Sequence, residues 1–142
     1  MIIPDANLLI YAADSRSIFH QSAHAWWKGV INGEEAVGLS WLVLVAYVRV
    51  LSSARMTLNP IGVSELLEEV ETWLGAPQVQ VLQPTSRHPQ AIRSLLVPTS
   101  VGGNLVNDAH LGALALEYGG TVHSADTDFA RFPNIRWVNP LK

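Results

Sequence analysis

Residues 1–14 read MIIPDANLLIYAAD, a β-type run over Met1–Pro4 with an aspartate, Asp5, directly behind it. Far along the chain, residues 121–132 read TVHSADTDFARF, a β-type run over Thr121–Ser124 with Asp126 and Asp128 directly behind it. In open α/β sheets, sites form beyond the carboxyl ends of the strands. Acids at the same end of two strands therefore predict a fold and a site together. These strands, first and fourth in the chain, have to lie side by side for the acids to meet.

Further β-type runs fall at Ala36–Leu39, Val79–Leu82 and Ile135–Val138, and segments of helical period alternate with them. That alternation predicts the α/β class, a parallel sheet covered by helices. Asp5 is placed to cap a short helix, and Asp14 reads as a helix-end residue. The stretch HQSAHAWWKGVING, residues 20–33, closes on Asn32-Gly33 as a helix C-terminus does, and Trp41–Ala54 is a second helical stretch. After Asn59-Pro60, Val63, Leu66, Leu67, Val70 and Leu74 recur at three- and four-residue steps. Glutamates 65, 68, 69 and 71 lie mostly on the remaining face, and this helix ends at Gly75-Ala76-Pro77. His88–Leu96 is a shorter helix, Val97–Gly103 a loop on its proline and glycine content, and Leu105–Tyr118 a helix closed by Gly119-Gly120. No repeat or linker divides the chain, so residues 1–142 are expected to form a single domain.

Hydrophobic residues make up 49% of the chain and charged ones 15%, which describes a globular protein with apolar surface left for a subunit interface. The longest apolar run, Trp41–Val48, stops at Arg49, well short of the roughly 20 residues that span a bilayer. The N-terminus lacks a basic region and carries acids early, so a cytoplasmic location is expected. With no cysteine, carboxylates and histidines are the plausible metal ligands. A net charge of -3 argues against broad nonspecific nucleic-acid binding but allows a local basic rim.

Four of the five aspartates fall at strand or helix ends: Asp5, Asp108 in the first turn of a helix, Asp126 and Asp128. Each alone has an ordinary structural reading, as a cap, a turn or a charge favoured by a helix N-terminus. Together they point to one spot. Carboxylates that close repel one another, and an all-oxygen set is relieved by a hard divalent cation, Mg²⁺ or Mn²⁺. Such an ion serves phosphodiester hydrolysis.

Asp5-Ala6-Asn7 after a first strand, Asn107-Asp108-Ala109-His110-Leu111 opening a helix, and Ser124-Ala125-Asp126-Thr127-Asp128-Phe129 after a late strand resemble the signature of PIN-domain ribonucleases. Ala130-Arg131-Phe132-Pro133, Trp137 and Asn139-Pro140 are similar to the ends of VapC-type toxins. The resemblance runs the length of the chain and preserves order and spacing. It implies a three-layer, PIN-like α/β fold with a five-stranded parallel sheet, Mg²⁺-dependent endoribonuclease activity on RNA, with transfer RNA the favoured target, homodimerisation, and inhibition by a VapB-type antitoxin. Carried over residue by residue, Asp5, Asp108 and Asp126 match metal-site acids, Asp128 an accessory acid, and Asn7 and Ser124 polar residues lining the site. His110 and Phe129 match positional, structural places.

One departure stands out. The family usually carries a glutamate in a pattern like Glu-Phe-x-Arg on the helix after the second strand, and here the stretch is Ala46-Tyr47-Val48-Arg49. One acid fewer predicts weaker Mg²⁺ affinity, and it keeps a second reading open: a PIN-like module that has lost catalysis and acts by holding RNA or an antitoxin. The presence of Asp5, Asp108, Asp126 and Asp128 favours the enzyme.

Other α/β readings fail on particular residues. Asn7 stands where a haloacid-dehalogenase-like phosphatase needs a second aspartate, and no Gly-x-Gly-x-x-Gly follows a strand. A receiver domain needs an aspartate after the third strand, and Gln83-Pro84 stands there. His20 and His24 have zincin spacing, but Gln21 replaces the general base, so they read as surface or interface histidines. Trp26, Trp27, Trp41, Trp73 and Trp137 read as packing residues, with Trp26 or Trp27 kept as a partner contact. RNA steering falls to Arg16, Arg49, Arg55, Arg87, Arg93 and Arg131, of which Arg49 and Arg131 are the chosen substrate-orienting candidates.

Overall fold

The computed structural model describes residues 1–142. Five short strands, β1 (Ile2–Pro4), β2 (Val37–Leu39), β3 (Val79–Val81), β4 (Thr121–His123) and β5 (Arg136–Val138), form one parallel sheet in the order β3-β2-β1-β4-β5. Ile2 lies beside Val37 on one side and Thr121 on the other, so the first and fourth strands are neighbours, as the acids require. Six α-helices surround the sheet: α1 (Ala6–Ala13), α2 (His20–Ile31), α3 (Trp41–Leu51), α4 (Val63–Leu74), α5 (His88–Thr99) and α6 (Leu105–Tyr118). A 3₁₀ turn spans Thr127–Arg131.

From β1 the chain steps to β2 and β3, then crosses back to β4 and β5. Right-handed crossovers place α1–α4 on one face and α5 and α6 on the other. The packing agrees, since α1 contacts α2 and α3, α3 contacts α4, and α5 lies on α6. β1 and β2 are buried throughout, whereas β3 and β5, at the edges, are partly exposed. The core joins Ile3, Val37, Leu39 and Val122 of the sheet to Leu9, Leu44, Leu66, Leu95 and Leu114 of the helices.

Local chemistry sets the helix ends. Asp5 caps α1 and Ser40 caps α3, with Ser40 Oγ accepting from Leu42 N at 3.2 Å. Between α6 and β4 the two glycines serve different needs. Gly119 has φ 67°, a left-handed conformation that suits a helix end, while a Cβ on Gly120 would fall 2.6 Å from Ile3 Cδ1. No helix is long and apolar enough to cross a membrane.

Three expectations need correcting. The α5 helix does not stop at Leu96 but continues through Pro98 to Thr99. The proline sits in the last turn, where its missing N–H costs one hydrogen bond, and Ser100, at φ 56°, closes the end by donating to the Leu96 and Val97 carbonyls. The α3 helix ends at Leu51 rather than Ala54, because Ser53 turns the chain, its Oγ accepting from Arg55 N and its carbonyl from Met56 and Thr57. Trp41, expected to pack, is 48% exposed at the start of α3. Trp27 and Trp73 do pack, edge to face with centroids 5.3 Å apart, and Trp137 donates its Nε1–H to the Ser124 carbonyl at 3.0 Å. His20 and His24 serve the end of α1, with Nδ1 of each facing the Tyr11 and Ala12 carbonyls at 3.0 and 3.4 Å.

Candidate active site

The carboxyl ends of β1 and β4 meet where the sheet order reverses. Asp5 leaves β1 and turns into α1, its Oδ1 accepting from Ala6 N at 2.8 Å. Its Oδ2 accepts from Ser124 Oγ at 2.7 Å and from Asn7 Nδ2 at 3.3 Å. Ser124 is buried, and its Oγ also accepts from Asn7 Nδ2 at 3.1 Å and from Asp126 N at 3.0 Å. Asn7 Oδ1 accepts from Ala125 N at 3.3 Å. Asn7 and Ser124 thus tie the two strand ends to each other and fix the Asp5 carboxylate between them.

Asp126 caps the 3₁₀ turn through Asp128 N at 2.8 Å, and the first turn of α6 brings Asp108 to the same place. Carboxylate oxygens of Asp108, Asp126 and Asp128 lie within 4.8 Å of one another. Asp128 is therefore drawn in with the two metal-site candidates, more closely than an accessory position implied. Asp5 stands next to this trio with both oxygens already accepting hydrogen bonds.

The charge is poorly tolerated. Burial, then repulsion from Asp5, Asp126 and Asp128, pushes the Asp108 carboxyl up to about 7. Burial also raises Asp5, with Asp126 adding to the rise and the Ser124 and Ala6 bonds opposing it. Hard oxygen donors from several segments, with one of them holding a proton near neutrality, suit a small divalent cation such as Mg²⁺ or Mn²⁺.

A stability effect follows from the direction of the shift. A carboxyl raised in the folded state contributes stability that is full below its unfolded value of 3.8 and is lost as pH rises through about 7. Asp108→Asn removes that loss. At pH 8 in EDTA the variant is expected to melt about 3 °C or more above the native protein, a gap that narrows at pH 5, closes only below the unfolded value of 3.8, and shrinks when Mg²⁺ is added. Equal melting temperatures at pH 8 would show that the carboxylates do not repel.

A cavity of about 340 Å³ opens beside the acids between α3 and α6, lined by Asp5 and Asp108 and by Ala46 and Arg49 among others. The position of the absent glutamate thus faces the cluster, as the sequence pattern implied. Of the arginines expected at the rim, Arg49 reaches this cavity and Arg131 lies 3.9 Å from Asp128, while Arg87 is turned to the Glu117 carbonyl.

One polar group escaped the sequence reading. The Glu117 carboxylate, with its side chain 1% exposed, accepts from Thr85 N at 2.8 Å, Thr85 Oγ1 at 2.5 Å and His88 Nδ1 at 2.5 Å. His88 Nε2 lies 2.9 Å from His110 Nδ1, so the set joins α5 to α6. His110 was expected to be positional, and this is its position. Burial lowers its pKa, with His88 adding to the effect. The available signal was a glutamate in a helix otherwise rich in alanine and leucine. Phe129, the other positional residue, is fully buried against Phe132.

An open parallel sheet with acids gathered at its reversal point is a PIN-like α/β arrangement. The chain belongs to the PIN domain family, whose profile matches residues 2–135, and within it to the VapC type. It is 38% identical over 142 residues to Ribonuclease VapC33 of Mycobacterium tuberculosis, covering 100% of this chain and 99% of that one. Ribonuclease VapC37 of the same organism is 38% identical over 140 residues, covering 99% and 97%. Among solved structures, VapBC2 from Rickettsia felis bound to a promoter DNA fragment matches with a TM-score of 0.68 at 17% identity, over 98% of each chain. Mycobacterium tuberculosis VapC20, described as a sarcin-ricin loop cleaving toxin, matches with a TM-score of 0.67 at 19% identity, over 96% of this chain and 99% of that one. These two share the fold with this chain.

Proposed function

We propose that residues 1–142 act as one domain, the toxin half of a VapBC-type pair, and that the protein is a Mg²⁺- or Mn²⁺-dependent endoribonuclease with transfer RNA as its favoured substrate. The observation that carries this reading is the meeting of Asp108, Asp126 and Asp128, with Asp5 beside them, at the β1–β4 reversal point. Asp5, Asp108 and Asp126 would hold the ion directly or through water, and Asp128 would orient an outer water or a second ion. When bound, the ion supplies Lewis acidity toward water and the phosphodiester. Asn7 and Ser124 hold Asp5 in place, and Arg49 and Arg131 orient the RNA backbone.

A VapB-type antitoxin is the proposed partner, in keeping with the VapBC complexes among the structural neighbours. A groove of about 410 Å³ along α1, α2 and α4 offers its amphipathic helix an apolar bed that includes Leu66 and Trp73. Trp27 lines the same groove and packs edge to face on Trp73. An arginine or lysine from the antitoxin would then satisfy the carboxylates in place of the cation. Exposed Val97, Val101 and Val106 give a second copy of the chain an apolar surface for a homodimer.

The test is cleavage of total bacterial RNA by purified protein with Mg²⁺, with Mn²⁺ and with EDTA. Discrete fragments that need the metal support the nuclease. The binding-module reading rests on Ala46, and it takes over if RNA is bound but left intact with either metal. Ala46→Glu adds a third carboxylate to the cavity, beside Asp5 and Asp108, and is expected to tighten Mg²⁺ about tenfold in titration calorimetry, the size of effect seen when a ligand's surroundings change. Unchanged affinity would mean that position 46 does not govern the site.

A further inference from the structure

We infer that the cavity between α3 and α6 is a nucleobase slot, which seats the base flanking the bond that the acid cluster cleaves. The inference rests on the nuclease reading and adds where the RNA strand lies. Asp5 and Asp108 line one part of this space of about 340 Å³, and apolar side chains of Leu42, Val45 and Ala46 from α3 and Leu111 from α6 line much of the rest. Its size is at the lower end of the roughly 300–1,000 Å³ of small-molecule sites, suited to one nucleoside rather than a duplex.

Apolar side chains at this place do nothing to hold a cation. Leu42 and Val45 are nevertheless 39% and 57% exposed in the lining they share with Asp5 and Asp108. A flat base, attached through its ribose to the phosphate at the acids, covers them and removes them from water. Arg49 lines the same space and supplies the cation that a phosphate next to carboxylates needs. Asn107, also in the lining, carries both a donor and an acceptor for a base edge. Alanine at position 46 keeps the slot open, because its side chain ends at Cβ where a longer one would occupy the space beside the acids. The residue that weakens the metal site in one respect thereby admits the substrate in another.

Equilibrium binding tests the slot without requiring cleavage. NMR titrations with AMP, GMP, CMP and UMP, each compared with ribose 5-phosphate in Mg²⁺, measure what the base contributes. The native protein is expected to bind at least one nucleotide about tenfold more tightly than ribose 5-phosphate, a typical contribution for a packed base. Ala46→Leu, which fills the slot, should abolish that difference, with nucleotide affinity falling further than ribose 5-phosphate affinity. Leu42→Ser, which leaves the slot open but removes an apolar wall, should reduce the difference.

Nucleotides that bind no better than ribose 5-phosphate would overturn the slot. So would an Ala46→Leu protein that keeps the preference, or one that loses affinity for both kinds of ligand equally. A base preference in a protein that cleaves no RNA upholds the slot and sinks the nuclease. Cleavage without any base preference does the reverse.

Discussion

Asp126→Ala is expected to lower RNA cleavage by roughly 10³-fold, in line with the loss of a group that stabilises transition-state charge. The variant should still fold, because the residue gives up a single cap bond to Asp128 N and relieves the repulsion on Asp108. Asp5 needs a finer test. Asp5→Ala removes the charge and also the α1 cap, worth about 1 kcal/mol. Asp5→Asn keeps an oxygen for Ala6 N while removing the charge and the second oxygen, which accepts from Ser124 Oγ and Asn7 Nδ2. Equal losses of cleavage in the two variants, with a larger drop in melting temperature in Asp5→Ala, would separate chemistry from folding. Ser124→Ala should cost about 10–100-fold, since Ser124 acts by orienting Asp5. An Asp5→Ala protein that cleaves RNA in EDTA would end the metal-nuclease reading.

Glu117→Ala should destabilise the fold by about 3 kcal/mol, because removing the acceptor of a buried hydrogen-bonded set leaves its donors unsatisfied. Here the stranded groups are Thr85 N, Thr85 Oγ1 and His88 Nδ1. For a domain with a total stability of about 5–15 kcal/mol, that is a large share. The pH dependence has a definite sign. Burial alone would raise the Glu117 carboxyl, but the bonds from His88 and Thr85 outweigh it and hold it below its ordinary value. Its contribution is therefore present above the unfolded pKa of 4.5 and is lost as pH falls through the lower folded value. His110 acts in the same direction: its folded pKa is lowered, so its contribution is present above 6.5 and declines as pH falls below it. Chemical denaturation from pH 6 to 3 should show the stability advantage of the native protein over Glu117→Ala shrinking below pH 4.5. The acid cluster contributes to both proteins alike and drops out of the difference. Parallel curves would mean that the Glu117 network carries no stability.

The meeting of the acids was legible because Asp5, Asp126 and Asp128 follow strands and Asp108 opens a helix, and such ends can be located in a sequence. Asp5, Asp108, Asp126 and Asp128 meet where β1 and β4 run side by side, and Asn7 and Ser124 lie in the same short motifs. Boundaries were less legible. A proline normally marks a helix end, but at Pro98 the lost bond falls in a last turn that Ser100 closes anyway. Trp41 has the composition of a core residue, yet its place at the start of α3 turns it outward. The Glu117 network was hidden because Thr85 and His88 come from a different segment than Glu117 and His110, and nothing local distinguishes a buried glutamate from a solvated one. The cavity beside Ala46 was hidden for the same reason, since space depends on neighbours that only the fold supplies.

The clasp formed by Asn7 and Ser124 joins residues 117 positions apart. Ser124 is held from behind by β5, its N–H donating to the Val138 carbonyl and its own carbonyl accepting from Trp137. The setting of Asp5 therefore closes only when contacts between segments far apart in the chain have formed. A partly folded chain carries scattered carboxylates rather than a gathered cluster. For a protein proposed to cut RNA, this ties activity to completed folding, and any opening of β4 or β5 from β1 switches it off.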